Sequence, residues 1–128
     1  LVFLLFYFVG QTQINTIAED AQISIITIGP GDQLHDSFGH NAIRVSDPSN
    51  GKDLAFNYGT FDFTTPNFYL KFGRGQLPYA LSVRPYTRFL ENYIAEKRWV
   101  KEQVLDLSYG EKVTIFEYLL NNAQPQNR

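Results

Sequence analysis

Both histidines of this 128-residue chain, His35 and His40, lie within one short glycine-rich stretch. The stretch has the sequence I-T-I-G-P-G-D-Q-L-H-D-S-F-G-H-N-A-I-R-V and covers residues 26–45. His40 follows Gly39 directly, at the start of a predicted strand, where an imidazole can be presented to a substrate. Because the ordinary pKa of histidine is about 6.5, His40 can act as a general base near neutral pH. We therefore expect any chemistry of this chain to centre on this stretch.

Asn57 lies on the next predicted strand and is either a partner of His40 or an ordinary asparagine at a strand end before a turn. If the two strands form a hairpin, an amide at this position can hold one ring nitrogen of His40 and fix the tautomer and orientation of the ring. Such a pair supplies the base and the orienting group of a thiol or hydroxyl triad, but no nucleophile. Tyr58 follows Asn57 and is expected to point to the opposite face of the strand.

The sequence offers no evident nucleophile or metal site beside this pair. The chain contains no cysteine, which excludes a thiol nucleophile, disulfides and zinc–thiolate sites within it. No serine stands in a G-x-S-x-G motif, and Ser37 is expected only to shape the loop before His40. A metal site from His35, Asp36 and His40 is conceivable, but the spacing matches no recognised zinc pattern. We expect no metal and no other cofactor.

Composition narrows the class of protein. The formal net charge is −2 and there is no basic stripe, so a nucleic-acid partner is not expected. Aromatic residues make up 16% of the chain, more than a domain of this size buries completely. They are either ordinary core and strand residues or part of an apolar groove or membrane-facing patch. The cations Lys71 and Arg74 stand among aromatic residues of segment 61–79, a pattern that suits a membrane surface but also a solvated helix face.

The elements that must position these residues can be predicted from hydrophobic periodicity and turn residues. Strands are predicted at 22–28, 40–46, 53–58, 79–84 and 99–107. Helices are predicted after Thr65, with Pro66 at the first position, from Pro85 or Thr87 through Arg98, and from the Ser108 capping box to about Asn122. The loop at 32–39 has room for one helical turn. The pattern predicts an α+β fold with an antiparallel sheet and flanking helices.

The chain begins with an apolar run, residues 1–9, and without a methionine. This run is too short to span a bilayer but fits the apolar region of a secretory signal whose basic part would lie upstream. We therefore interpret residues 1–21 as a truncated signal peptide or membrane anchor and a linker, and residues 22–128 as a domain that is incomplete at its C-terminus. The alternative is a buried first strand or helix.

Four segments in a fixed order resemble one family, the N-terminal periplasmic domain of Lnb-type lipoprotein N-acyltransferases, long catalogued as a domain of unknown function. They are residues 26–45, F-N-Y-G-T-F-D-F (56–63), P-N-F-Y-L-K-F-G-R-G-Q-L-P-Y (66–79) and the L-x-L-S-x-x-E segment (105–111). The resemblance implies a partial, permuted papain-like fold of the NlpC/P60 type in an exported, periplasmic and membrane-associated protein. It also implies transfer of an acyl chain to the N-terminal amine of lipoproteins, with the lipoprotein and a phospholipid acyl donor as partners.

The resemblance assigns roles by motif. The His of the family's F-G-H motif corresponds to His40, and the polar third member of the triad falls on Asn57. The family's nucleophilic Cys, in a D-N-C-type motif, is expected just beyond residue 128, so this chain alone is expected to be inactive. The expected substrate-binding residues are Tyr58, Phe68, Tyr69, Phe72 and Arg74.

Two other functions remain open at this point. One is a cell-wall amidase or peptidase of the NlpC/P60 type, which should have a more polar cleft than an acyltransferase. The other is a non-catalytic envelope binding module, which predicts that no Cys follows residue 128. The sequence does not indicate an oligomeric state.

Overall fold

The fold of the protein is a single antiparallel sheet with helices on both faces. The computed structural model describes residues 16–127. Within this range the strands are β1 (Gln22–Ile28), β2 (His40–Asp47), β3 (Lys52–Thr60), β4 (Ala80–Pro85) and β5 (Val100–Val104), and the helices are α1 (Phe68–Gly73), α2 (Tyr86–Ala95) and α3 (Tyr109–Asn122). The sheet order is β4-β3-β2-β1-β5, and each neighbouring pair is antiparallel. The predicted α+β class and antiparallel sheet are confirmed. Residues 1–15, which hold the signal-like run, lie outside the described residues.

The β2–β3 hairpin forms at the turn that the sequence predicted. Asp47 ends β2, a short 3₁₀ turn spans Pro48–Asn50, and Gly51 adopts φ +64° before β3 begins. Glycine takes this left-handed conformation without the steric cost that a side chain would add. The register pairs Ile43 with Phe56, which brings the beginning of β2 and the end of β3 to the same end of the sheet.

Alternation along the strands sorts the apolar side chains into two layers. On β3, Phe56 packs with Phe116 and Leu119 of α3 on one face, while Ala55 packs with Phe89 of α2 on the other. We call these the α3 face and the α2 face. Because successive strand residues point to opposite faces, the side chain of Asn57 shares the α2 face with Ala55.

The described chain packs into the core before β1 begins. Ile17 and Ala21 are 1% and 0% exposed and belong to the cluster on the α3 face. The Tyr109 hydroxyl donates a hydrogen bond of 3.0 Å to the carbonyl oxygen of Ile17. Part of the segment interpreted as a linker therefore contributes core side chains.

The helices differ from prediction mainly at their ends. Helix α1 begins at Phe68 and not after Thr65, because Asn67 has φ +56° and interrupts any right-handed helix there. Helix α2 ends at Ala95 and not at Arg98, since Lys97 has φ +54°. Strand β5 also stops at Val104, short of the predicted residue 107.

Helix α3 begins with the capping box that its sequence predicted. The Glu111 amide donates to Ser108 Oγ at 3.2 Å, and the Ser108 amide donates to Glu111 Oε2 at 3.0 Å. These two bonds satisfy backbone donors that the first helical turn leaves unpaired. Among residues 16–127, none of the helices combines the length and the apolar character needed to cross a bilayer.

Candidate functional site

The loop before His40 is closed tightly on itself. The Asp36 carbonyl oxygen accepts hydrogen bonds from the amides of both Gly31 and Gly39, each 3.0 Å long. Gly39 has φ +77°, and a Cβ there would lie 2.6 Å from the carbonyl oxygen of Ile28. Only glycine fits this turn without strain, and the turn delivers His40 to the first position of β2. The predicted helical turn in this loop is present as a 3₁₀ turn at Leu34–Asp36.

The side chains of His40 and Asn57 meet on the α2 face, where His40 Nε2 is hydrogen-bonded to Asn57 Oδ1. An amide oxygen can only accept a hydrogen bond, so Nε2 carries the proton. In the neutral ring, Nδ1 is then the basic nitrogen. The pair thus has the geometry expected of a base and its orienting group, while the catalytic roles of the two residues stay a prediction.

A cleft of about 330 Å³ opens beside this pair. Its walls combine the aromatic rings of Phe61, Phe63 and Tyr93 with the polar side chains of Ser82, Arg84, Asn92, Glu96 and Arg98. Gly59 also lines it, and a Cβ there would lie 3.6 Å from His40 Cε1. The imidazole therefore borders a space with both apolar and polar walls.

The hydroxyl groups in the cleft do not pair with the imidazole. Ser82 lies opposite Asn57 in the β3–β4 register, but its hydroxyl is hydrogen-bonded to Thr60 Oγ1 at 2.8 Å. In the part of the chain that the structure describes, Asn57 is the only side chain hydrogen-bonded to the His40 ring. The described residues thus place an imidazole and an amide together, and none of their hydroxyl groups is hydrogen-bonded to that imidazole.

Arg98 clamps the loop that precedes His40, a role that the sequence did not predict. Its side chain is 3% exposed, and Nε donates a 2.7 Å hydrogen bond to the Gly29 carbonyl oxygen. Nη1 lies 3.5 Å from Asp36 Oδ1 and 3.2 Å from Glu96 Oε2. A single arginine at the end of a predicted helix carries no sequence signal that separates such a clamp from a solvated side chain.

The phenol of Tyr93 lies in the same wall. Burial raises the pKa of Tyr93, and the positive charge of Arg98 partly opposes that shift. The Arg98 guanidinium lies 5.0 Å from the centroid of the Tyr93 ring. Tyr93 is therefore a neutral phenol at physiological pH and can take part only as a hydrogen-bonding or packing group.

Segment 61–79 forms an aromatic cluster at the other wall of the cleft. Phe68 is 7% exposed and its ring stacks on Phe63 at 4.9 Å between centroids. The His35 ring contacts Phe63 edge-on at 5.0 Å, and Phe61 contacts Phe72 at 5.9 Å. His35, which the sequence suggested only as a member of a conceivable metal site, is thus a packing group in the cleft wall.

The predicted substrate-binding residues occupy three different environments. Phe68 and Phe72 support the cleft wall through these ring contacts, whereas Tyr69 and Arg74 are exposed on α1 and directly after it. Tyr58 lies on the α3 face, as expected from its neighbour Asn57, and its hydroxyl accepts a 3.0 Å hydrogen bond from Asn122 Nδ2. It borders an apolar groove with Ile43, Ile115, Tyr118 and Leu119, away from His40.

Charged residues elsewhere on the α2 face are engaged with each other. Arg44 binds Asp53 through two hydrogen bonds of 2.8 and 2.9 Å and lies 3.1 Å from Glu102 Oε2. The hydrogen bonding that Arg44 donates to the Asp53 carboxylate is the main reason that the pKa of Arg44 is raised. Among residues 16–127, no cluster of three or more histidine, aspartate or glutamate side chains is arranged to hold a metal ion.

Comparison with known proteins gives one positive result. The model of one family, described as the Lnb N-terminal periplasmic domain, matches residues 10–128. This range includes the whole β2–β3 hairpin and all of segment 61–79. Searches of curated proteins and of solved structures found no match.

Proposed function

The chain belongs to the Lnb N-terminal periplasmic domain family, and from this premise we propose that it supplies the base half of a thiol acyltransferase that acylates the N-terminal amine of lipoproteins. The observation that carries the proposal is the hydrogen bond between His40 Nε2 and Asn57 Oδ1 beside an open cleft. It leaves Nδ1 free to accept a proton. The family description supports a periplasmic location.

In this proposal the nucleophile is a cysteine that lies beyond residue 128. His40 Nδ1 takes the proton of the thiol, and the thiolate attacks the ester carbonyl of a phospholipid acyl donor. The protonated ring then gives that proton to the departing alcohol oxygen, which leaves a thioester on the cysteine. Backbone amides stabilise the negative charge of the tetrahedral intermediate.

The second half of the reaction uses the same nitrogen. The lipoprotein amine attacks the thioester carbonyl, Nδ1 accepts a proton from the nitrogen, and the thiolate leaves as the amide forms. Asn57 holds the ring through both halves and stabilises the imidazolium that forms in each. The aromatic rings of Phe61 and Phe63 supply the apolar wall that an acyl chain requires.

A permuted papain-like fold of the NlpC/P60 type is part of this proposal. In such a fold a histidine on a strand faces a cysteine at the start of a helix. His40 at the first position of β2 and Asn57 on the adjacent strand are compatible with it. In this proposal the thiol of such a helix would enter the cleft of about 330 Å³ on the α2 face.

A second candidate is a cell-wall amidase or peptidase with the same His–Asn pair. The observation that favours it is the polar wall of the cleft, where Arg84, Asn92 and Glu96 could bind a peptide or sugar. Phe61 and Phe63 on the facing wall favour the acyltransferase. In a non-catalytic binding module, the orientation of the His40 ring by Asn57 would have no function.

The test of the function compares two assays on the intact enzyme. With a lipoprotein that has a free N-terminal amine and with phospholipid, we expect mass spectrometry to find one added acyl chain on that amine. Purified peptidoglycan should release no new fragments. Fragment release without N-acylation would support the amidase instead, and neither activity would support the binding module.

Replacing Asn57 tests the orienting role. Asn57→Ala should lower kcat about 10²-fold with little change in KM, because an untethered imidazole loses part of the 10²–10⁴-fold that general-base catalysis contributes. Asn92→Ala is the matched control, since Asn92 also lines the cleft but is not bonded to His40. Steady-state N-acylation kinetics measure both variants. Equal activities of the two would remove Asn57 from the mechanism.

A further inference from the structure

Several large apolar side chains that line the His40 cleft or neighbour its lining residues are exposed to solvent. We call them the apolar rim, and they are Leu34, Phe38, Phe63, Tyr69 and Tyr79, with exposed fractions of 56%, 89%, 60%, 56% and 57%. Phe38, which comes two residues before His40, is the most exposed of the large apolar residues in the described chain. Aromatic rings that remain this exposed next to a cleft mark an interaction surface.

Ring contacts join the two segments that form the rim. His35, which follows Leu34 in the chain, contacts Phe63 at 5.0 Å between centroids. Phe61 contacts Phe63 at 6.4 Å and Tyr79 at 5.2 Å. The loop that carries Phe38 and segment 61–79 are therefore parts of one surface around the cleft, and they are not separate exposed residues.

The charge of this surface is divided between its two segments. Segment 61–79 contains Lys71 and Arg74 and one acidic residue, Asp62, so its net charge is +1. The loop at 32–39 contains Asp32 and Asp36, and Asp36 lies 3.5 Å from Arg98 Nη1. Lys71 and Arg74 take part in no ion pair within residues 16–127. Asp62 is held by hydrogen bonds from Thr64, which lower its pKa. Two unpaired cations thus stand beside the apolar rim.

We propose that the apolar rim docks on a phospholipid bilayer with anionic headgroups, so that the mouth of the His40 cleft faces the lipid. This inference rests on the proposed function, because it explains how an acyl chain would reach the cleft without crossing water. Tyrosine rings place an apolar body in the acyl boundary and a hydroxyl among the headgroups. Lys71 and Arg74 can pair with lipid phosphates, as cations beside a membrane-bound apolar face do.

Phe38 provides a direct probe of this orientation. In the intact protein, Phe38→Trp should lose at least about half of its added fluorescence on vesicles of phosphatidylethanolamine and phosphatidylglycerol with brominated acyl chains, compared with unbrominated vesicles. Tyr118→Trp is the matched control, because Tyr118 is 64% exposed but lies in the groove on the α3 face. Trp99 contributes the same background fluorescence to both variants.

Affinity gives an independent measurement. Phe38→Ser should weaken vesicle binding by about tenfold, as expected when one buried aromatic contact is lost, whereas Tyr118→Ser should not. Lys71→Gln combined with Arg74→Gln should weaken binding to vesicles that contain phosphatidylglycerol but not to vesicles of phosphatidylcholine alone.

The outcomes of these experiments distinguish a failure of the docking proposal from a failure of the proposed function. His40→Ala should bind vesicles like the parent protein while losing N-acylation. If Phe38→Trp and Tyr118→Trp are quenched equally, or if neither is quenched while N-acylation persists, the docking proposal is wrong and the proposed function stands. Quenching at Phe38→Trp that requires added lipoprotein would also overturn it and would identify a protein partner. Quenching in a protein that never acylates would support the docking and reject the function.

Discussion

Replacing His40 with alanine should reduce lipoprotein N-acylation by the intact enzyme by at least about 10²–10⁴-fold, the range that a general base contributes. The reason is that, in the proposed mechanism, Nδ1 is the base, with Nε2 occupied by Asn57. The loss should appear in kcat, because in the proposed mechanism His40 moves protons and does not anchor substrate. Mass spectrometry of the lipoprotein N-terminus measures it.

His35→Phe is the control for this substitution. It keeps an aromatic ring against Phe63 and Phe68, so N-acylation should stay within a few-fold of the parent value. Thermal unfolding should show that His40→Ala remains folded, since the His40 side chain is only partly buried. N-acylation that survives His40→Ala would exclude this residue from the mechanism.

The substitution Gly39→Ala should lower the free energy of unfolding by about 3 kcal/mol. A side chain at φ +77° costs about 1–2 kcal/mol, and forcing a methyl group into occupied space adds about 1–3 kcal/mol. The space is occupied because the Ile28 carbonyl oxygen lies 2.6 Å from the position of the new Cβ. That oxygen belongs to the backbone of β1 and cannot rotate away. Urea unfolding monitored by circular dichroism measures the change.

Gly51→Ala separates the conformational cost of a side chain at positive φ from the steric cost of the added methyl group. Gly51 has φ +64°, similar to Gly39, but no atom lies within 4 Å of a Cβ there. Its substitution should therefore cost only about 1 kcal/mol, the conformational part alone. If both variants lost the same free energy of unfolding, the loop before His40 would have to relax around the added methyl group. Contact with β1 would then not fix the conformation of that loop.

The strands that hold the site could be predicted because their signals are local. The alternation in residues 22–28 gave β1 with its observed bounds. The predicted hairpin placed His40 and Asn57 on adjacent strands, and the two side chains do meet. A strand has a period of two, so the face of each residue follows once the strand is known. This also explains why Tyr58 lies away from the cleft.

The ends of the helices and the contacts of Arg98 could not be predicted in the same way. The left-handed conformations of Asn67 and Lys97 end or delay helices that periodicity would continue, and such residues are uncommon among non-glycines. The contacts of Arg98 with Gly29 and Asp36 join residues far apart in sequence. No local pattern encodes such pairs, so the clamp was found only in the structure.

The hydrogen bond that fixes the His40 tautomer has a consequence for the order of events in the cleft. With Nε2 committed to Asn57, one nitrogen must serve both the arriving acyl donor and the arriving amine. In the proposed mechanism the two substrates would therefore occupy one position in turn, and the deacylated donor would depart before the amine enters. The proposed enzyme would follow ping-pong kinetics, with the thioester as the only link between its two half-reactions.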